Sequence, residues 1–177
     1  MTAIMIPAID AEGRFTPVEK MDAHRRGVLH QAISVFVTDG DRLLIQRRAA
    51  AKYHCGGLWA NTVCSHPHFG EDPAAAAARR LREELGVEGL PLTATGVFDY
   101  RADVGGGLTE HERVHMFRAD ADAGALVLHP DPAEVDATRW ISRAGLLAEL
   151  AAHPAAFTPW FRIYLARWPG FDFGRAA

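Results

Sequence analysis

One stretch of this chain has essentially one way to fold. Residues 72–87, DPAAAAARRLREELGV, open with an aspartate that caps helices and a proline that suits their first turn. Ala74–Leu85 is built from the strongest helix formers, and Gly86 stands where a helix ends in a left-handed turn. The flanking residues read differently. Ala32–Val37 and Arg42–Gln46 are short, β-branched apolar runs joined around Asp39-Gly40, a strong hairpin signal. Trp59–His66, Leu92–Tyr100, Glu110–Arg118 and Thr138–Ile141 also read as strands, with Gly105-Gly106-Gly107 as a mobile turn. Ser142 can cap a helix through about Leu150, and Thr158-Pro159 another through about Arg167. A helix set among hairpins predicts an α+β chain, an α/β sandwich with mixed β-sheets flanked by helices.

Length and charge narrow the function. A chain of 177 residues suits one domain with a sizeable core, here divided into an N-terminal extension of about 1–22 and a core of about 23–168. A net charge of -3 gives no general pull toward nucleic acid or an anionic membrane, so any anionic ligand must be held by local basic residues. The first twenty residues lack the basic start and apolar run of a signal peptide, and no run is long enough to span a membrane. Two cysteines make no disulfide framework. The expectation is a reduced, cytoplasmic protein, a monomer or weak dimer. Of its nineteen Lys and Arg only Lys20 and Lys52 are lysine, which marks both as candidates for a compact, flexible point charge.

Five residues on three segments can hold one divalent ion: His24 and His30 in AHRRGVLH, His66 in NTVCSHP, and Glu110 and Glu112 in LTEHERVH. Residues two apart on a strand share a face, so Cys64 accompanies His66, and Glu110 accompanies Glu112. Imidazoles with carboxylates suit Mn²⁺ or Mg²⁺ and also admit Zn²⁺ or Fe²⁺. Taken singly, each of these residues is more often structural. His54, His68, His129 and His153 are left as structural or surface residues, and Cys55 as an inert buried thiol. His111 is expected to face away from its two glutamate neighbours.

The stretch from Ser65 to Val87 resembles the Nudix box, G-x5-E-x7-R-E-U-x-E-E-x-G-U, where U is apolar. Glu71, Arg79, Leu81, Glu83, Glu84, Gly86 and Val87 fall on the pattern. Ser65 replaces its first glycine, and Arg80 replaces a glutamate that binds metal in the hydrolases of this family. A cation at that position repels Mg²⁺ and argues against diphosphate hydrolysis.

WANTVCSHP, YRADVGGGLTEHE, AHRRGVLH and AFTPWF together resemble the type I isopentenyl diphosphate isomerases, a branch of the Nudix fold, from about Glu19 to Arg167. That resemblance implies interconversion of isopentenyl and dimethylallyl diphosphate. It makes His24, His30, His66, Glu110 and Glu112 ligands of one metal, Mn²⁺ or Mg²⁺ with Zn²⁺ as an alternative. It makes Cys64 and Glu112 the acid/base pair, with Tyr100 as a relay. Glu84 matches the ligand of a second, diphosphate-linked Mg²⁺. Lys20, Arg48, Lys52 and Arg80 match the diphosphate grip, and Trp160 lines the pocket. The chain departs from some members in a six-residue spacing between His24 and His30, and in Arg113-Val114-His115 after the glutamate pair. The competing readings are a Nudix hydrolase of a nucleoside or prenyl diphosphate, and a non-catalytic module stabilised by structural zinc.

Overall fold

A computed structural model describes residues 3–167. In chain order the elements are β1 (Met5–Ile9), β2 (Phe15–Glu19), α1 (Lys20–Arg26), β3 (His30–Asp39), β4 (Arg42–Arg48), β5 (Trp59–Ala60), β6 (Val63–Ser65) and α2 (Pro73–Leu85). Then follow β7 (Thr93–Gly105), β8 (Leu108–Asp120), β9 (Val135–Ser142), α3 (Arg143–Ala152), a 3₁₀ turn at Pro154–Ala156 and α4 (Pro159–Arg167). The result is a mixed sheet flanked by helices, the class expected from the sequence. None of the described helices is long and apolar enough to cross a membrane.

The organising strand is β3. It runs parallel to β8 from His30 opposite Glu112 to Thr38 opposite Asp120. It also pairs antiparallel with β6 at Ile33–Val35, and at Thr38 and Asp39 it turns into β4. Because both of its faces are covered, it reads as one apolar run, HQAISVFVTD, with nine of its ten residues buried. Its side chains nonetheless divide by parity. Ile33, Val35 and Val37 pack with Ala76, Ala77, Leu81 and Leu85 of α2, while Ala32 and Phe36 pack with Trp160, Phe161 and Tyr164 of α4. His30 and Ser34 share the second face by strand alternation.

Helix α2 forms for the reasons legible in the sequence. The Asp72 carboxylate accepts from the amides of Ala74 and Ala75, and Gly86 (φ 68°) closes the helix. A Cβ on Gly86 would lie 2.7 Å from the Cβ of His129, so this position excludes a side chain on steric as well as conformational grounds. Ser142 caps α3 through Gly145 N as expected. The Thr158 hydroxyl, by contrast, is buried without a partner and does not cap α4.

Three expectations require correction. The segment of about 1–22, read as an N-terminal extension, carries the β1–β2 hairpin, whose Ala8 pairs with His30 of β3, and the first three residues of α1. Trp59–His66 is two short strands instead of one, because Asn61 and Thr62 interrupt it. Asn61 Nδ2 donates to Ser34 Oγ, Val35 O and Val63 O, and Thr62 Oγ1 donates to Leu44 O, so side chains occupy groups a ladder would use. Strands β7 and β9 also begin or end beyond the ranges expected, since cross-strand pairing extends them. Residue 168, the expected end of the core, lies outside the described residues.

The loop before α2 is stapled to the helix. Arg79 donates from Nε and Nη2 to both carboxylate oxygens of Glu71 at 2.7 Å, and Glu71 also accepts from His68 N at 2.8 Å. The hydrogen bonds from Arg79 hold the Glu71 carboxyl below its ordinary value of 4.5. A depressed folded-state pKa stabilises above the unfolded value and is lost as pH falls through the folded one. Glu71→Gln should therefore cost about 1.5–3 kcal/mol at pH 7, read from urea midpoints. The deficit relative to the parent protein should shrink steadily below pH 4.5; an equal deficit at pH 3 and pH 7 would contradict this account.

Candidate metal centre and active site

Strand β8 buries alternate residues: Leu108, Glu110, Glu112, Val114 and Met116 all point into the protein. Two carboxylates thus occupy core positions, each about 4 % exposed. The register supplies their neighbours. Glu112 lies opposite His30 on β3 and opposite Tyr100 on β7, while Glu110 lies opposite Ala102. The Tyr100 hydroxyl sits 2.7 Å from Glu110 Oε2 and 2.6 Å from Glu112 Oε2. One phenolic proton serves one carboxylate at a time, so the second short contact calls for a proton on a carboxyl.

Helix α1 brings His24. Glu19 caps it by accepting from Met21 N and Asp22 N, and Gly27 (φ 62°) ends it in the left-handed region. Lys20 and His24, four apart, share a helix face. His24 Nδ1 donates to Lys20 O at 2.6 Å, and His30 Nδ1 donates to Val28 O at 2.7 Å. Both bonds fix the tautomer and leave the Nε2 lone pair facing inward. His66, just after β6, places Nε2 3.2 Å from His30 Nε2 and 2.9 Å from Glu112 Oε1. His24 Nε2 is buried with no partner. The ligand atoms of His24, His30, His66 and Glu112 lie within 4.8 Å of one another, and those of His24, His54 and Glu110 do likewise. Around an ion bound at about 2.1 Å, neighbouring ligand atoms sit about 3.0 Å apart and opposite ones about 4.2 Å. An orphaned lone pair beside closely set nitrogens and carboxylate oxygens therefore fits a divalent cation.

Electrostatics divide the two glutamates. Burial and the charge of Glu112 push Glu110 well above the ordinary carboxylate range. Burial would raise Glu112 too, but its contacts with His30 and His66 overcome it and hold it well below. Burial lowers His24 and His66 despite their acceptors, so the imidazoles are neutral and able to ligate. Lys20 is lowered to about 8 by burial and then by Lys52 and Arg80.

Cys64 lies opposite Ser34, and its Sγ is 3.1 Å from both Ser34 Oγ and Asn61 Oδ1 and 3.9 Å from Tyr164 OH. Burial, opposed by the Ser34 bond, pushes the thiol up to about 12. A narrow pocket is lined by Cys64, His66, Tyr100, Glu110, Glu112 and Trp160. Lys20, Arg48, Lys52 and Arg80 line it as well, so every predicted anion-binding residue faces one space. Arg48 stacks over Trp160, 5.2 Å from the ring centre.

Glu84 does not join either cluster. Its carboxylate accepts from Arg80 at 2.7 and 3.0 Å and from Gln46 at 2.9 Å. His111 turns away and donates to Gly27 O, as expected, and His115 meets Gln31. His54, read as structural or surface, is buried, with Nε2 3.3 Å from Glu110 Oε1. Burial and then the Arg48 charge lower it to about 3. Sequence reasoning also passed over Tyr164 and Glu134, which pairs with Lys52 and Arg80. Asn61 lies inside the quoted WANTVC motif and His54 in KYHC, but nothing in their spacing sets them apart.

Comparison with known proteins identifies the family. The NUDIX domain family matches residues 28–161. Over 171 residues the chain is 56% identical to an isopentenyl-diphosphate Delta-isomerase of Cereibacter sphaeroides (strain ATCC 17029 / ATH 2.4.9), covering 97% of this chain and 96% of that protein. It is 52% identical over 165 residues to a protein of the same name from Rhodobacter capsulatus, covering 93% of each. Among solved structures, DR0079 from Deinococcus radiodurans superposes with a TM-score of 0.73 at 18% identity, over 96% of this chain and 99% of that one. A MutT NUDIX hydrolase from Burkholderia pseudomallei gives 0.60 at 22% identity, over 78% and 96%.

The thiols yield a direct test. With Cys64 held at about 12 and Cys55 raised by burial to about 11, neither carries appreciable thiolate at neutral pH. In chelator-treated protein at neutral pH, iodoacetamide should alkylate Cys64 roughly a thousandfold more slowly than free glutathione, as peptide mass mapping would show. Alkylation at the glutathione rate would contradict the assigned environment.

Proposed function

The chain belongs to the NUDIX family and, within it, to the isopentenyl-diphosphate Delta-isomerases, and from that premise we propose how its pocket moves a double bond. The reaction interconverts isopentenyl and dimethylallyl diphosphate, adding a proton at one carbon and removing one from another. We assign Cys64 and Glu112 as the two proton-handling groups, with Tyr100 linking Glu112 to Glu110. The observation that carries this assignment is the meeting of Cys64, Glu112 and Tyr100 in one cavity with four basic side chains.

Each part of the chemistry has a residue suited to it. Protonating an unactivated alkene develops positive charge on a tertiary carbon, which water would quench, so a closed site is required. A protonated Cys64, kept neutral by burial until it reacts, is a proton source that becomes a thiolate as the alkene takes its proton. Glu112, held ionised by its histidines, is a base that can take a proton or pass one through the 2.6 Å contact with Tyr100. The faces of Trp160 and Tyr100 can stabilise the developing cation by about 0.5–2 kcal/mol each. The diphosphate is gripped by Lys20, Arg48, Lys52 and Arg80 through charge-assisted hydrogen bonds, and this binding energy holds the five-carbon unit between acid and base.

His24, His30, His66, Glu110 and Glu112 would hold the divalent ion, read as Mn²⁺ or Mg²⁺ with Zn²⁺ as the alternative. Bound there, an ion supplies positive charge that keeps the neighbouring carboxyl groups ionised and acidic. Glu84, engaged by Arg80 at the edge of the basic cluster, is our candidate to meet a Mg²⁺ that arrives with the diphosphate. The hydrolase reading loses ground at this point, because Arg80 neutralises Glu83 and Glu84 where a carboxylate would gather metal. The structural-zinc reading leaves Glu110 and Glu112 idle, whereas both lie in the cavity.

Incubating the protein with isopentenyl diphosphate in deuterated water, followed by NMR, tests the proposal. Deuterium should enter both isomers without release of phosphate. Cys64→Ala and Glu112→Gln should each lower turnover by about 10²–10⁴. Full turnover in either variant would remove that residue from the mechanism, and removal of divalent metal by chelation should abolish turnover reversibly.

A further inference from the structure

Of the four buried histidines among the described residues, one is used by neither the family pattern nor the mechanism above. His54 sits in the loop between β4 and β5, with its side chain only 3 % exposed. Neither ring nitrogen has a hydrogen-bond partner. A buried neutral imidazole keeps one N–H and one lone pair, and leaving both unmatched is costly. The ring is not loosely placed: it meets Tyr53 and Trp160 edge to face at 4.3 and 5.6 Å, and Arg48 donates to its carbonyl.

We propose that His54 is a sixth protein ligand of the ion held by His24, His30, His66, Glu110 and Glu112, closing the cage on the Glu110 side. The proposal rests on the metal reading given above. Its nitrogen lies 3.3 Å from Glu110 Oε1, yet the pair does not meet hydrogen-bond geometry. Two ligand atoms aimed at a common ion stand in that relation, near each other but pointed elsewhere. The spacing falls between the separations of about 3.0 and about 3.4 Å expected for octahedral and tetrahedral neighbours around a 2.1 Å ion. His24 joins the two sets, since its ligand atom lies within 4.8 Å of both the His30–His66–Glu112 group and the His54–Glu110 pair. An ion at their junction takes up one orphaned lone pair from each of His54 and His24. His54 is also two residues from Lys52, so ligation ties the loop that carries a diphosphate-binding cation to the metal.

The test uses metal-stripped full-length protein, titrated with Mn²⁺ and separately with Co²⁺. The parent should bind one Mn²⁺, and His54→Ala should bind it roughly ten- to a hundredfold more weakly. A residue that merely oriented Glu110 could produce that loss too, so the deciding readout is coordination. The Co²⁺ visible spectrum of His54→Ala should differ from the parent in band position and intensity. Electron–nuclear double resonance on parent Mn²⁺ protein should show four coordinated imidazole nitrogens, a measurement that needs no variant and stands if His54→Ala fails to fold. Three nitrogens in the parent, or an unchanged Co²⁺ spectrum in a folded His54→Ala, overturns the proposal while leaving the five-residue site intact. A parent that binds no divalent ion, with His66→Ala indistinguishable from it, overturns the metal reading itself.

Discussion

Two carboxylates on the buried face of β8 are the constraint around which the rest is arranged. Glu110 and Glu112 occupy positions where the strand's period calls for apolar residues. Burying two like charges side by side is tolerable only if one is neutralised or cations converge on them. The fold does both. Glu112 is ringed by His30 and His66 and stays ionised, while Glu110, beside it and pushed upward by burial, takes the neutral role. Tyr100 bridges them. The histidines in turn are held by backbone carbonyls, so their inward nitrogens are fixed before any ligand arrives.

The Nudix-like segment has a different task. Helix α2 packs on the odd-numbered face of β3, whereas the carboxylate–imidazole cluster lies on the even-numbered face. Arg79 clamps Glu71 and reaches the His66 carbonyl at 3.4 Å, so the box positions the loop bearing a histidine. Arg80 faces Glu84 and Glu134 at the edge of the basic cluster. One change of charge within a family motif accompanies a carboxylate–imidazole cluster on the other face of the sheet.

How much of this was legible follows from what each feature depends on. Helix α2 depends on local signals, Asp72, the alanine run and Gly86, and was readable in full. The five candidate ligands were readable because their side-chain types recur in an ordered set of motifs. The β1–β2 hairpin was not, since Pro7 and Pro17 weaken any strand signal and the pairing is set by contact with β3. The break at Asn61 and Thr62 depends on side chains bonding to distant carbonyls, which no local pattern reveals. His54 is the sharpest case. Its position follows from a loop in which Cys55 adopts φ 51°, and only the folded chain brings it against a glutamate 56 positions away.

The parallel pairing of β3 with β8 makes chain length itself a functional variable. Sliding β8 by one residue would swing Glu110 and Glu112 across the sheet, toward the leucines of α2, and bring Arg113 and His111 inward. A single-residue insertion or deletion within either strand therefore damages the enzyme more deeply than most substitutions, because it moves every side chain of that strand at once.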